Sequence, residues 1–226
     1  MQEKTERAAL FDVDGLLVDS ETLDFSIFIR QLASVGIRMS LDDVREYTGV
    51  QNKDAYETIR RINDADFDVD KILARHYTAF EENITSVPVL LGAREIIRRC
   101  KSFGYKTGIV SGSPSKYVKS HLDRVGIDGF EVIITAEDVP SKPNPAGYLK
   151  AAEDLGIPTA YCMVFENSAH GIEAAKKAGC YVVGVKMGSN SKQVSNADYI
   201  ASTLKQVETH LLVKFGTPDF SPSQFR

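Results

Sequence analysis

The chain has 226 residues, of which 43% are hydrophobic and 26% charged, a composition typical of an ordinary globular protein and unlike that of a disordered or fibrous one. Its formal net charge of −4 argues against nucleic acid as the main partner, although local charge can still favour a phosphorylated ligand. No apolar run approaches the length of a signal or membrane segment, so we expect a cytoplasmic protein without a membrane partner. The odd number of cysteines, three in apolar contexts, predicts free buried thiols.

The first predicted element is a short buried strand that ends at two aspartates. Ala8 to Phe11 are apolar, and Asp12 and Asp14 follow with one residue between them. Because side chains alternate along a strand, the two carboxylates point the same way, and Gly15 then allows a sharp turn. Such a pair suits a nucleophile or metal ligand beside a proton shuttle. Two solvated acids at a strand end are the alternative that this pair alone leaves open.

Residues from about 20 to 85 predict helices only. Apolar residues recur at helical spacing over 23–35, 55–62 and 69–84, and Ser40 is a plausible N-cap for a short helix between them. An all-helical block directly after a strand end indicates a helical cap of residues 19–87 inserted into an α/β core of residues 1–18 and 88–226. His76 lies on an apolar stripe, which favours a packing role.

One acidic segment in this block resembles the beginning of a calcium-binding loop. Aspartates alternate from Asp64 to Asp70, but Val69 stands where the loop requires glycine, and Arg75 where it requires a bidentate glutamate. We therefore expect a solvated loop that caps the next helix.

From residue 90 onward, predicted helices alternate with predicted strands. The strands cover residues 105–110, 131–135, 161–165 and 181–186, and Ser113 with Pro114 resembles a helix start. This alternation predicts an α/β protein with a Rossmann-like, three-layer core, a mostly parallel sheet and right-handed crossovers. In such sheets the ligand site lies beyond the carboxyl ends of the strands.

Polar residues collect at those strand ends. Each alone has a structural alternative, such as a strand end, a surface lysine or a helix cap. Together they form a set in which a lysine and helix N-termini bind phosphate while carboxylates bind Mg²⁺. The set consists of Asp12, Asp14, Ser111, Lys142, Glu166 and Asn167.

Four segments in this order resemble the motifs of the haloacid dehalogenase superfamily, in the branch with a small helical cap that contains β-phosphoglucomutase and many sugar-phosphate phosphatases. They are FDVDG at 11–15 with DSE at 19–21, VSGS at 110–113, KPNP at 142–145, and FENS at 165–168 with Gly171. The resemblance covers nearly the whole chain except the tail from about Gly216, which is rich in helix-breaking residues and predicts an irregular arm.

The resemblance implies a Mg²⁺-dependent phosphatase that acts on a small phosphorylated metabolite through an aspartyl-phosphate. Asp12 would be the nucleophile and Asp14 the general acid and base. The phosphate-binding residues would be Ser111, Gly112 and Lys142. The Mg²⁺ ligands would be Asp12, Asp14, Glu166 and Asn167.

The chain departs from the family pattern at two places. The fourth motif usually has an aspartate where this chain has Asn167, whose neutral oxygen attracts Mg²⁺ less. Mutases of this branch have a histidine where Asp24 stands and a cap arginine where Asn52 stands, and Lys53 lacks the bidentate fork of arginine. Hydrolysis is therefore favoured, with a β-phosphoglucomutase-like mutase and a catalytically weak phosphate-binding protein as alternatives.

The candidate specificity residues near the entrance are Glu21, Asp24, Gln51, Asn52 and Lys53. Their acids and amides suit a hydroxylated leaving group such as a sugar or a polyol. We expect a monomer whose partner is this small substrate.

Overall fold

The computed structural model describes residues 6–186, 192–217 and 220, and the strands in this part of the chain form one sheet. Every pairing in the sheet is parallel, in the order β3-β2-β1-β4-β5-β6. The strands are β1 (Arg7–Phe11), β2 (Tyr105–Val110), β3 (Val132–Ile134), β4 (Cys162–Glu166), β5 (Tyr181–Val185) and β6 (Tyr199–Ala201). The Rossmann-like α/β class predicted from the sequence is confirmed.

Helices cover both faces of this sheet because successive residues of its central strands are apolar, so that both faces are apolar. The bounds of these helices are α5 (Ala93–Ser102), α6 (Ser115–Val125), α7 (Ala146–Leu155), α8 (Ala169–Lys177) and α9 (Thr209–Lys214), with 3₁₀ turns at Thr159–Tyr161 and Leu204–Gln206. Ala9 and Phe11 of β1 pack with α5, α6 and α9, whereas Ala8 and Leu10 pack with α7 and α8.

The strand order reverses direction at β1, and this reversal positions the site. The chain passes from β1 to its neighbour β2 and on to β3, then crosses to the other side of β1 to form β4. The crevice beyond the carboxyl end of β1 is therefore the topological switch point, where ligands bind in open α/β sheets. Asp12 follows β1 directly.

Residues 21–86, all of which the structure describes, form helices and no strand, as predicted. These are α1 (Glu21–Ala33), α2 (Leu41–Arg45), α3 (Asn52–Ile62), α4 (Val69–Asn83) and a 3₁₀ turn at Ile84–Ser86. We call these residues, 21–86, the helical block. It has an apolar core of its own that includes Phe28, Tyr56 and Ile72. The division into domains at residues 19 and 88 stays a prediction.

Two helix starts in the block follow the sequence signals. Ser40 caps α2 in a reciprocal capping box with Asp43, and the side chain of Asp68 accepts a hydrogen bond from the backbone of Lys71 at the start of α4. The acidic segment before α4 is thus a capping loop.

Some local predictions differ from the structure. Ser113 is not the cap of α6: the N-cap is Pro114, and the carboxylate of Glu137 accepts the free N–H of Ser115 instead. The four strands predicted after residue 90 correspond to β2 to β5, and each begins and ends within one residue of its predicted bounds. Strand β6 and helix α9 were not predicted. Cys100, Cys162 and Cys180 are free and buried, as expected.

Two sequence expectations concern the chain as a whole. In the described part of the chain, no helix is both long and apolar enough to span a membrane. The predicted irregular tail lies mostly outside the described residues; Phe220 packs its ring against Tyr181 and Phe215.

Candidate active site

A buried lysine joins two carboxylates at the switch point. The Nζ atom of Lys142 lies 2.7 Å from Oδ1 of Asp12 and 2.6 Å from Oε1 of Glu166, and it also donates to the carbonyl oxygen of Val110 at 3.2 Å. Asp12 directly follows β1, Glu166 is the last residue of β4, and Lys142 comes from the loop between β3 and α7. The predicted convergence of these loops is therefore present in the structure.

Both oxygens of Glu166 are already engaged by donors. Oε1 accepts from Lys142 and from the Tyr148 hydroxyl at 3.0 Å, and Oε2 accepts from the N–H groups of Asn167 and Ser168 and from the Ser168 hydroxyl, each at 2.9 Å. Burial raises the pKa of Glu166, but Lys142 and Ser168 outweigh it and hold the pKa below its ordinary value. These contacts suit an anchor for Lys142 and leave no oxygen free for a metal ion.

Three hydroxyls hold the carboxylate of Asp14. Ser20 donates to Oδ1 at 2.7 Å, and Ser111 and Ser113 donate to Oδ2 at 3.0 and 2.8 Å. Gly15 adopts a φ of +75°, which permits the turn after β1. Neither Ser20 nor Ser113 was assigned to the site from the sequence, although both lie inside motif segments.

The carboxyl group of Glu21 lies beside the fourth motif, at residues 165–168. Oε1 of Glu21 accepts a 2.7 Å hydrogen bond from Nδ2 of Asn167. The pKa of Glu21 is raised to about 8, chiefly by burial and also by the nearby Asp12 and Asp14, while the hydrogen bond from Asn167 opposes the rise. Burial likewise raises the pKa of Asp12 to about 8, with Lys142 opposing and Glu166 and Asp14 adding to the rise. When these carboxyl groups are ionised, their negative charge exceeds what Lys142 balances, so a further cation would stabilise the ionised forms.

A cavity of about 80 Å³ opens above Asp12 and Asp14, between the sheet and the helical block. Gly112 and Ser113 line it, whereas Ser111 and Lys142 are buried and bonded to the two aspartates.

Three of the five candidate specificity residues line this cavity: Glu21, Asp24 and Asn52. Gln51 and Lys53 do not. Gln51 instead donates its side-chain amide to the carbonyls of Ala136 and Val139, and Lys53 forms an exposed ion pair with Asp70 at 3.3 Å. Helical periodicity places neighbouring residues on different faces, but it does not say which face meets the cavity.

His76 does more than fill the core of the helical block. It is fully buried, its Nε2 atom lies 2.8 Å from Oδ1 of Asp24, and its Nδ1 atom lies 2.9 Å from the Tyr56 hydroxyl. The packing role predicted from its apolar stripe therefore describes only part of what His76 does. Because a buried imidazole requires polar partners, a histidine on an apolar stripe was itself the signal in the sequence for these hydrogen bonds.

The donor set fits a magnesium ion although no group of three acidic, histidine or cysteine side chains in the described residues is placed to hold a metal by itself. Mg²⁺ needs no such cage, because it keeps several waters and binds through one or two carboxylates plus substrate phosphate. Asp12, Glu21 and Asn167 supply hard oxygens in a site with excess negative charge.

Comparisons with known proteins agree with this geometry. Residues 9–185 match the family model for haloacid dehalogenase-like hydrolases. Validoxylamine A 7'-phosphate phosphatase of Streptomyces hygroscopicus subsp. limoneus is 31% identical over 205 residues, covering 89% of this chain and 95% of that protein. Hexitol phosphatase B of Escherichia coli (strain K12) is 31% identical over 210 residues, covering 88% and 93%.

A solved structure supports the same fold. β-Phosphoglucomutase from Clostridium difficile superimposes with a TM-score of 0.82 at 21% identity, covering 92% of this chain and 96% of that one. The chain belongs to the haloacid dehalogenase-like hydrolase family. The enzyme class predicted from the motifs, a phosphomonoester hydrolase, is confirmed.

Proposed function

We propose that this protein is a Mg²⁺-dependent phosphatase that hydrolyses a small sugar or polyol phosphate through an aspartyl-phosphate on Asp12. One observation carries the proposal: the buried Asp12 carboxylate, paired with Lys142, lies at the same cavity as an Asp14 carboxylate held by three hydroxyls. Relatives named as a hexitol phosphatase and as validoxylamine A 7'-phosphate phosphatase support the class of substrate.

The chemistry uses the two aspartates in turn. An Asp12 oxygen attacks phosphorus, the bond from phosphorus to the ester oxygen breaks, and Asp14, which enters this step protonated, gives its proton to the departing alkoxide. Asp14 then takes a proton from water, which attacks the aspartyl-phosphate and releases inorganic phosphate and free Asp12. Lys142, Ser111 and the backbone at Gly112 hold the phosphoryl oxygens, since positioning and charge supply most of the rate in phosphoryl transfer.

Four groups of this chain are proposed to hold the magnesium ion. They are the Asp12 carboxylate, the Asp14 backbone carbonyl, Asn167 and Glu21. We place Glu21 in this set instead of Glu166, because both Glu166 oxygens already accept hydrogen bonds. The Glu21 carboxylate also supplies the negative charge that the neutral Asn167 side chain beside it does not. When bound, the ion neutralises charge on the transferring phosphoryl group.

The cavity favours hydrolysis over phosphosugar transfer. A mutase must hold a bisphosphate at both ends, but no lysine or arginine is among the described residues that line the cavity. The weak-binding alternative is disfavoured because Asp12, Asp14, Ser111 and Lys142 are all present and in contact.

Phosphate release from p-nitrophenyl phosphate and from a panel of sugar and polyol phosphates, with Mg²⁺ or with EDTA, tests the proposal. We expect activity that requires Mg²⁺, and a loss of at least about a thousandfold in kcat on replacing the nucleophile in Asp12→Asn. The control is Asp123→Asn, which removes the same charge from an exposed position. Activity retained by folded Asp12→Asn, or undiminished in EDTA, would contradict the mechanism.

A further inference from the structure

A fixed carboxylate lies on the part of the cavity wall that the helical block supplies. Oδ1 of Asp24 accepts hydrogen bonds from Nε2 of His76 at 2.8 Å and from Nδ2 of Asn52 at 3.0 Å. No donor among the described residues reaches Oδ2 of the same carboxylate. Asp24 and Asn52 both line the cavity, and His76 is fully buried behind them.

The hydrogen bonds around His76 run in one direction. Asp24 only accepts, so Nε2 of His76 donates to it, and Nδ1 then accepts from the Tyr56 hydroxyl. Burial raises the pKa of Tyr56, and Asp24 raises it further, so this hydroxyl keeps its proton. The chain Tyr56–His76–Asp24 thus fixes the carboxylate from behind and leaves its second oxygen for a ligand.

The rest of the lining gives Asp24 no cationic partner. Among the described residues, the one basic side chain in contact with Asp24 is the neutral imidazole of His76, and neither lysine nor arginine lines the cavity. Glu21 and the two catalytic aspartates are the other charged groups there. In a cavity of low dielectric, a ligand group that meets Asp24 must donate a hydrogen bond and must not carry negative charge.

We infer that Asp24, positioned by His76 and Asn52, selects the leaving group: it accepts a hydrogen bond from a hydroxyl or ammonium group of the substrate and excludes substrates with a second anionic group. The inference rests on the proposed phosphatase function and narrows its substrates to phosphomonoesters whose remaining part is neutral or cationic and carries hydroxyls. Sugar-acid phosphates and bisphosphates are excluded.

Three open-chain probes that differ only at C1 isolate this selection by charge. Glucitol 6-phosphate is neutral beyond its phosphate, gluconate 6-phosphate has a carboxylate at C1, and 1-amino-1-deoxyglucitol 6-phosphate has an ammonium group at C1. We expect kcat/KM for the neutral and cationic probes to exceed that for the anionic probe by at least about tenfold, since two like charges repel strongly in a partly buried site.

Two substitutions should lower the ratio of kcat/KM for the neutral probe to kcat/KM for the anionic probe, one by removing negative charge and the other by adding positive charge. Asp24→Asn removes the negative charge from an almost unchanged shape, and Asn52→Lys adds a positive charge at a lining position. Each should lower the neutral-to-anionic ratio of kcat/KM by about tenfold. The control is Asp70→Asn, which removes the same charge from an exposed position of the helical block and should leave the ratio unchanged.

Activity towards p-nitrophenyl phosphate separates the possible failures. If the wild type releases no phosphate from this compound or from any probe, the proposed function fails. If the wild type is active but treats gluconate and glucitol phosphates alike, or if both variants keep the wild-type ratio, the role of Asp24 is overturned while the phosphatase activity stands.

Discussion

At the scale of single residues, Glu166 is the carboxylate that we propose anchors Lys142. Its hydrogen-bond partners come from separate parts of the chain: Lys142 from a loop, Tyr148 from α7 and Ser168 from the start of α8. Periodicity within a segment contains no information on such contacts.

Glu166→Gln tests the role of this carboxylate as the anchor of Lys142. The amide cannot accept from Lys142 and from the two backbone N–H groups at once, because one of its two heteroatoms is a donor. We expect the free energy of unfolding to fall by about 3 kcal/mol, as when one partner of a buried ion pair is lost, and kcat to fall because Lys142 moves. Urea denaturation and phosphate release measure the two effects.

Glu173→Gln is the matched control on α8. Glu173 pairs with Lys177 at 2.7 Å, and both side chains are about half exposed. Because solvent screens such pairs, the free energy of unfolding should change by at most about 0.5 kcal/mol. Equal effects of the two substitutions would mean that Glu166 contributes no more than a surface charge.

At the scale of secondary-structure elements, the first turn of α8 packs directly on the Glu166 carboxylate. Ser168 caps the helix by accepting from the N–H of Gly171 at 3.0 Å. A Cβ atom at Gly171 would lie 1.7 Å from Oε1 and 2.6 Å from Oε2 of Glu166. Glycine is needed here because of this close approach, since its backbone conformation is ordinary.

Gly171→Ala should therefore destabilise the protein although alanine favours helices. The clash with a buried carboxylate should lower the free energy of unfolding by about 2 kcal/mol, and the higher helix propensity of alanine should offset about 1 kcal/mol of this loss. Displacement of Glu166 should also reduce phosphatase activity. Thermal or urea unfolding and phosphate release measure these changes.

Gly156→Ala separates the clash from backbone strain. Gly156 ends α7 with a φ of +68°, and a Cβ atom there meets nothing within 4 Å. This variant should lose about 1 kcal/mol of stability through strain alone and keep full activity. If Gly171→Ala also keeps full activity, the position of Glu166 does not depend on α8.

Elements with strong local signals were predicted well. Strand β2 begins and ends at the predicted residues, because the segment is bounded by Gly104 before it and by the Ser111 turn after it. The start of α6 was misplaced by one residue, since Glu137 from a distant loop accepts the N–H of Ser115. Strand β6 has three residues of which one is buried, too short a pattern for periodicity to identify.

At the scale of the whole molecule, long-range contacts join the helical block to the sheet. Gln51 donates to loop carbonyls after β3, His170 on α8 lies 3.1 Å from the Thr48 carbonyl, and Gln193 donates to the Arg45 carbonyl at 2.8 Å. The sequence predicted the block and its helices. It did not predict how the block sits on the sheet, and so it could not separate Asn52 from Gln51 and Lys53.

His121 lies where the helical block meets the α/β core. It is fully buried on α6, its ring packs edge-on against Phe80 of the helical block at 6.0 Å, and its Nε2 atom lies 3.7 Å from Oδ1 of Asp14. Burial lowers the pKa of His121 below the ordinary 6.5; Arg124 lowers it further, while Asp14 opposes the shift. Neither ring nitrogen has a hydrogen-bond partner among the described residues.

This lowered pKa predicts a loss of stability on acidification. Below pH 6.5 the unfolded chain binds a proton at this residue while the folded protein does not, so the free energy of unfolding falls as the pH drops through 6.5 towards the folded value. Above pH 6.5 the imidazole is neutral in both states and contributes no slope. His121→Leu removes this group without leaving a hydrogen bond unpaired. The free energy of unfolding of the variant should therefore fall less steeply as the pH drops, and the two slopes should differ by the equivalent of at most about one bound proton per molecule. Urea unfolding of both proteins between about pH 7.5 and 5.5 measures the difference; parallel curves would show that His121 is as readily protonated in the folded protein as in the unfolded chain.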